Sequence, residues 1–191
     1  MITISAMAAD ALGTALAQDF RRLFGSSHVQ AAERLDSMAR VALECLGKSD
    51  ALYHNVEHTL LVAQVARDIL KGRTLTERVT PDDYSHLLIA CLLHDIGYVR
   101  GILKGDSGSK FVIAADGNTI ALERGASDAS LAPYHVERSK IFVIERLGGS
   151  PAIDAERVAR AIEATPFSMS FRTRGLRGPT SAGSRPDRAA W

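Results

Sequence analysis

The sequence predicts an all-α domain interrupted by one β-hairpin. Three observations carry this. Apolar residues recur every three or four positions through most of the chain, the spacing of a helix that buries one face. Glycine-, serine- and proline-containing breaks divide that pattern into segments of helical length. The exception lies at 110–123, where two short β-prone runs flank a turn sequence.

Taken in order, the first helix runs from Ala8 to Phe24, with Leu12, Leu16, Phe20 and Leu23 on one side, and Gly25-Ser26-Ser27 breaks it. The second spans about His28–Leu46, with Ala31, Leu35, Met38, Val41, Ala42 and Cys45 as its apolar face and Gly47 as its stop. The third runs from about Asn55 to Leu70 and ends at Gly72. Pro81-Asp82-Asp83 opens the fourth, because proline and acids suit a first helical turn. It continues through His86–Leu93 and stops before Gly97. Lys110–Ala114 and Thr119–Glu123 then form a hairpin around Ala115-Asp116-Gly117-Asn118. Helices resume over Pro133–Leu147 and Ile153–Ala164, separated by Gly148-Gly149-Ser150-Pro151. Periodicity stops after Phe171. The expected organisation is one helical domain, 1–171, and a disordered tail, 172–191.

Composition narrows the function classes. With 191 residues, 46% hydrophobic and 24% charged, the chain has the apolar mass for one globular core. Its longest strong apolar run, Leu87–Leu93, is far short of the roughly 20 residues that span a bilayer. The N-terminus lacks the basic segment of a signal peptide. Two cysteines, Cys45 and Cys91, exclude a disulfide framework and suit a reducing cytoplasm. Net charge is +1, but residues 172–191 hold five arginines and one acid, which leaves −3 on residues 1–171. Such a body makes no electrostatic case for nucleic acid.

Three histidine clusters bear chemistry: Tyr53-His54-Asn55-Val56-Glu57-His58, His94-Asp95, and His135-Val136-Glu137-Arg138-Ser139. His54 and His58 are four apart, the spacing of one helical turn. His94-Asp95 falls at a helix end, where the backbone can aim both groups at one ion. Histidines and a carboxylate suit a borderline-hard divalent ion, which acidifies water and polarises phosphoryl oxygen. His54-x-x-Glu57-His58 also fits the HxxEH arrangement of zinc peptidases, with Glu57 as base. Otherwise Glu57 is a solvent-facing helix residue. His86 is expected to be a half-buried helix histidine.

The order His58…His94-Asp95, within Leu87-Leu88-Ile89-Ala90-Cys91-Leu92-Leu93-His94-Asp95-Ile96-Gly97-Tyr98, resembles the HD superfamily of metal-dependent phosphohydrolases. Tyr53-His54-Asn55-x-x-His58 is similar to the signature of its cyclic-nucleotide phosphodiesterases. The resemblance spans about 28–167 and implies an HD-type helical bundle. It implies a divalent cofactor (Mn, Fe, Co, Zn or Mg) on His58, His94 and Asp95, with His54 as general acid and Asn55 supporting it. His135, Glu137 and Ser139 resemble a downstream His-Glu-x-x-Ser region, and Ile162-Glu163-Ala164-Thr165 the start of the last core helix. His135 is then a further metal or phosphate ligand, or a helix-start residue; Lys104 and Lys110 are candidates for phosphate oxygens, or solvated loop lysines. The implied function is hydrolysis of a small phosphate mono- or diester, a nucleotide above all. One departure stands out. The family closes its site with a later Asp, and here Ser168–Trp191 offers only Asp187, in Arg185-Pro186-Asp187-Arg188. The final ligand is therefore expected to be missing, as in a truncated or frame-shifted end or in a chain that completes its site differently. The competing class is a non-catalytic HD domain that binds a nucleotide or a partner protein.

Overall fold

A computed structural model describes residues 3–164. The expectations for the tail, Asp187 included, lie outside the described residues. Six α-helices lie among the described residues: α1 Ile4–Phe24, α2 Val29–Leu46, α3 Val56–Arg73, α4 Pro81–Leu93, α5 His135–Leu147 and α6 Ala155–Glu163. The described residues are 63% helical, as the periodicity predicts. Strands β1 Lys110–Val112 and β2 Thr119–Ala121 form the hairpin, antiparallel with Phe111 opposite Ile120. Gly117 takes a positive φ in its turn, the conformation that favours glycine there.

Local chemistry sets most of the boundaries. Thr3, Asn55, Thr80 and Asp154 cap α1, α3, α4 and α6 by accepting a backbone N–H, which satisfies donors that a helix start leaves unpaired. Thr80 and Asp83 complete a reciprocal capping box behind Pro81. Several boundaries differ from the pattern reading: α5 begins at His135 rather than Pro133, α6 at Ala155 rather than Ile153, and the strands stop at Val112 and Ala121 rather than Ala114 and Glu123. The first helix begins at Ile4, where Thr3 caps it, and α3 runs through Gly72 to Arg73 because its cap residue Thr74 is still right-handed.

Helix α4 lies at the centre: nine of its thirteen residues are buried, and it packs on α2, α3 and α6. Helices α1 and α2 share the most extensive packing. At Gly13 an added Cβ would stand 2.9 Å from the Asp36 carbonyl oxygen. The buried face of α2 is Ala31, Ala32, Leu35, Ala39, Ala42, Leu43 and Leu46. This face is rotated from the expected one: Val41 is exposed and Met38 and Cys45 are half-buried. Small alanines bring α2 close to its neighbours, so side-chain size decided its orientation. His86 is fully buried rather than half-buried. Its Nδ1–H donates to the Asp82 carbonyl at 2.6 Å, and its Nε2 accepts from the Asp154 N–H at 2.9 Å. It thereby joins α4 to the start of α6.

Candidate metal centre

Four histidines and one aspartate meet where α4 ends. His94 is the C-cap of α4 and Asp95 opens the tight turn Ile96–Tyr98. His58 sits in the first turn of α3. Its backbone N–H donates to Asn55 Oδ1 at 3.0 Å, and Asn55 Nδ2 donates to the Leu52 carbonyl at 2.8 Å. Asn55 is therefore the residue that starts α3 and fixes the register of His58. His54 precedes that cap and lies outside the helix. The helical-face argument for His54 and His58 fails for this reason, yet the bend before α3 still leaves the two rings 5.3 Å apart.

Asp95 is the hub, 1% exposed. Its Oδ2 accepts from His54 Nδ1–H at 2.8 Å and stands 3.3 Å from His58 Nε2 and 3.1 Å from His94 Nε2. The two Nε2 atoms are 3.3 Å apart. His135 Nε2 stands 3.8 Å from the other oxygen, Oδ1. His54, His58 and Asp95 each offer a ligand atom within 4.8 Å of the others. The His58–His94–Asp95 triangle is tighter still. Ligands at about 2.0–2.1 Å from one ion stand about 3.0 Å apart at a right angle and about 3.4 Å apart at a tetrahedral angle. The edges of 3.1–3.3 Å fall between these values.

Backbone contacts orient the rings. His94 Nδ1–H donates to the Cys91 carbonyl at 2.8 Å, and His135 Nδ1–H to the Ala132 carbonyl at 2.6 Å. A carbonyl only accepts, so each neutral ring keeps its lone pair on Nε2, on the side facing Asp95. Tyr98 stacks against both His54 and His135, with centroids 4.5 and 4.6 Å from its own, and those two rings are themselves 5.8 Å apart. Burial lowers the proton affinity of His58 and His135, which keeps both as neutral donors. Burial also lowers His94, but the hydrogen bond and charge of Asp95 outweigh it and leave His94 raised. Burial raises Asp95, but His94 and then His54 hold it at about 2.

Helix α5 locks this turn in place. Ser139 Oγ donates to the His94 carbonyl at 2.8 Å and accepts from the Gly97 N–H at 2.9 Å. Arg138 is wholly buried, and all five of its N–H donors are used. They reach the carbonyls of Gly97, Val99 and Val112 and both oxygens of Asp106. An added Cβ at Gly97 would stand 2.1 Å from the His135 carbonyl oxygen, so only glycine permits this approach. The pattern reading placed Arg138 in a cluster without giving it a role, and it passed over Asp106. Neither residue has a periodic signature, and a surface arginine looks the same in sequence.

The remaining candidates stay apart. The ammonium groups of Lys104 and Lys110 are exposed and make no hydrogen bond or ion pair with the cluster. Glu57 is exposed and makes no hydrogen bond or ion pair among the described residues. Glu137 pairs with Lys140, and Glu163 with the same lysine. A cavity of about 400 Å³ lies toward the other end of α4, lined by Arg73, Arg157, His86 and Leu87 among others. It contains none of the cluster residues.

The model of the Npun_R2479-like family matches residues 2–175. The chain belongs to the Npun_R2479-like family. No curated protein and no solved structure matches it. The Npun_R2479-like match takes in both the six-helix body and every residue of the His/Asp cluster.

Proposed function

We propose that this chain is an HD-type, divalent-metal-dependent phosphohydrolase acting on a small phosphate mono- or diester, with nucleotides the first class to test. The observation that carries the proposal is the His58–His94–Asp95 triangle, whose 3.1–3.3 Å edges are those of three ligands to one ion. Two histidines and a carboxylate suit Mn, Fe, Co or Zn, and Mg is the harder alternative. A bound ion would supply Lewis acidity toward a phosphoryl oxygen and acidify a water in its shell.

The chain's own residues supply the rest. Asp95 accepts from His54 Nδ1–H, so in the imidazolium form it is the Nε2–H of His54 that is free to pass its proton to the leaving oxygen, returning the ring to neutral. Tyr98 stacks behind the same ring and restricts its rotation. His135 faces Asp95 Oδ1, the oxygen opposite the triangle, where its Nε2 lone pair can bind a second ion, or, once protonated, its Nε2–H can donate to a phosphate oxygen. The zinc-peptidase alternative needs Glu57 beside the ion, and Glu57 has no contact with the cluster.

A second reading is a nucleotide- or partner-binding module without turnover. It is favoured by one observation: among the described residues, Asp95 is the only carboxylate in contact with these histidines. Elemental analysis and a metal-supplemented screen over nucleotides and cyclic nucleotides separate the two. The enzyme reading expects near-stoichiometric metal that is lost in His58→Ala, His94→Ala and Asp95→Asn. It expects His54→Ala to keep the metal and lose turnover. Nucleotide binding without turnover, or no metal uptake by the folded chain, would support the module and overturn the enzyme reading.

A further inference from the structure

Helix α3 buries only Thr59, Ala63 and Leu70 of its eighteen residues. Its outer side carries Glu57, Leu61, Val65, Ile69 and Arg73, all exposed, with the three apolar residues each more than half exposed. They are spaced four apart and so form one ridge along the helix. The apolar surface continues past both ends of α3: Leu52 and Tyr53 before it and Leu75 after it are strongly exposed. Isolated exposed leucines need no explanation, but a contiguous apolar ridge marks an interaction surface.

The ridge is symmetric about Val65. We propose that it is the interface of a two-fold homodimer in which α3 packs antiparallel on α3 of a second copy. A two-fold interface must be complementary to itself. Antiparallel pairing about Val65 puts Val65 on Val65 and Leu61 on Ile69 of the other copy. Glu57 then meets Arg73, and the pair occurs twice. Helices that pack with four-apart ridges interdigitated keep those ridges side by side, so the charged ends stay in register with the apolar centre. Both charges are available. Glu57 makes no hydrogen bond or ion pair among the described residues, and Glu77 engages only Nε and Nη2 of Arg73, leaving Nη1 for another carboxylate. The same pairing brings Leu75 toward Leu52 and Tyr53 of the second copy, widening the contact. A parallel arrangement would set Glu57 against Glu57, and a different partner would have no reason to match this symmetry.

Sedimentation velocity on the full chain from about 1 to 100 μM tests the inference. The wild type should show a concentration-dependent dimer. Val65→Asp should be monomeric over the whole range. Glu57→Arg and Arg73→Glu, each of which creates two like-charge contacts, should each weaken the dimer by about tenfold or more. Glu57→Arg/Arg73→Glu together should recover it. The substituted positions are exposed, and unchanged circular dichroism and melting temperature confirm folding. A wild type that stays monomeric at 100 μM overturns the proposal. So does a dimer indifferent to Val65→Asp, or a double charge reversal no tighter than the single variants.

Discussion

Replacing Arg138 by methionine should cost more stability than any other single truncation near the site. The guanidinium and the Asp106 carboxylate are 0% and 1% exposed and are joined by two hydrogen bonds of 3.0 and 2.9 Å. Methionine keeps much of the buried volume, so the loss is electrostatic rather than a cavity. It leaves a buried carboxylate without its cation and deprives the Gly97, Val99 and Val112 carbonyls of a donor. Removing one partner of a buried ion pair costs about 3–5 kcal/mol. For a chain of this size each kcal/mol lowers Tm by about 2–4 °C, so the expected fall is roughly 6–20 °C. Urea denaturation and calorimetry measure it. Arg138→Met with Asp106→Asn should be less destabilised than the sum of the two single variants, with a coupling of about 1–3 kcal/mol. A loss below about 1 kcal/mol in Arg138→Met, or additive single effects, would refute the account of this residue as the clamp between α5, the turn after His94-Asp95 and the hairpin segment.

Three further outcomes follow from the same geometry. Burial raises Asp106, but Arg138 and backbone N–H groups outweigh it and lower its carboxyl below the ordinary range; its stabilisation should be full above about pH 4 and fade as pH falls through the lowered value, and acid titration of Arg138→Met should show that loss diminished. Gly97→Ala should destabilise by about 1–3 kcal/mol in thermal unfolding, because the new methyl meets backbone at the His135 carbonyl that cannot swing aside. His94 is raised above its ordinary 6.5, so ion binding must displace its proton; affinity should climb as pH rises from below 6.5 through that raised value, and calorimetry in buffers of different ionisation enthalpy should register proton release.

Much of the fold was legible because its signals are local. The helical period, Pro81 with its acids and the Asp116-Gly117 turn act within a few residues, and each produced the element expected. His58, His94 and Asp95 could also be selected from residue type and order alone, since few side chains ligate metals and these occur in a familiar sequence. Where locality ended, packing between distant segments decided the outcome. The face of α2 depended on which neighbours its alanines admit, and His54 reached Asp95 from a bend rather than from a helix face. Asn55 proved to be the cap that sets His58, a role decided by where α3 begins. Arg138, Asp106 and Ser139 are distant in sequence from the groups they hold, and their importance comes from burial that no spacing encodes. Sequence determined which groups were available; tertiary structure determined which of them share one buried carboxylate. The reason is physical: the spacings near 3 Å join two separate segments, the start of α3 and the end of α4, and only the packing of these helices brings them to a common point.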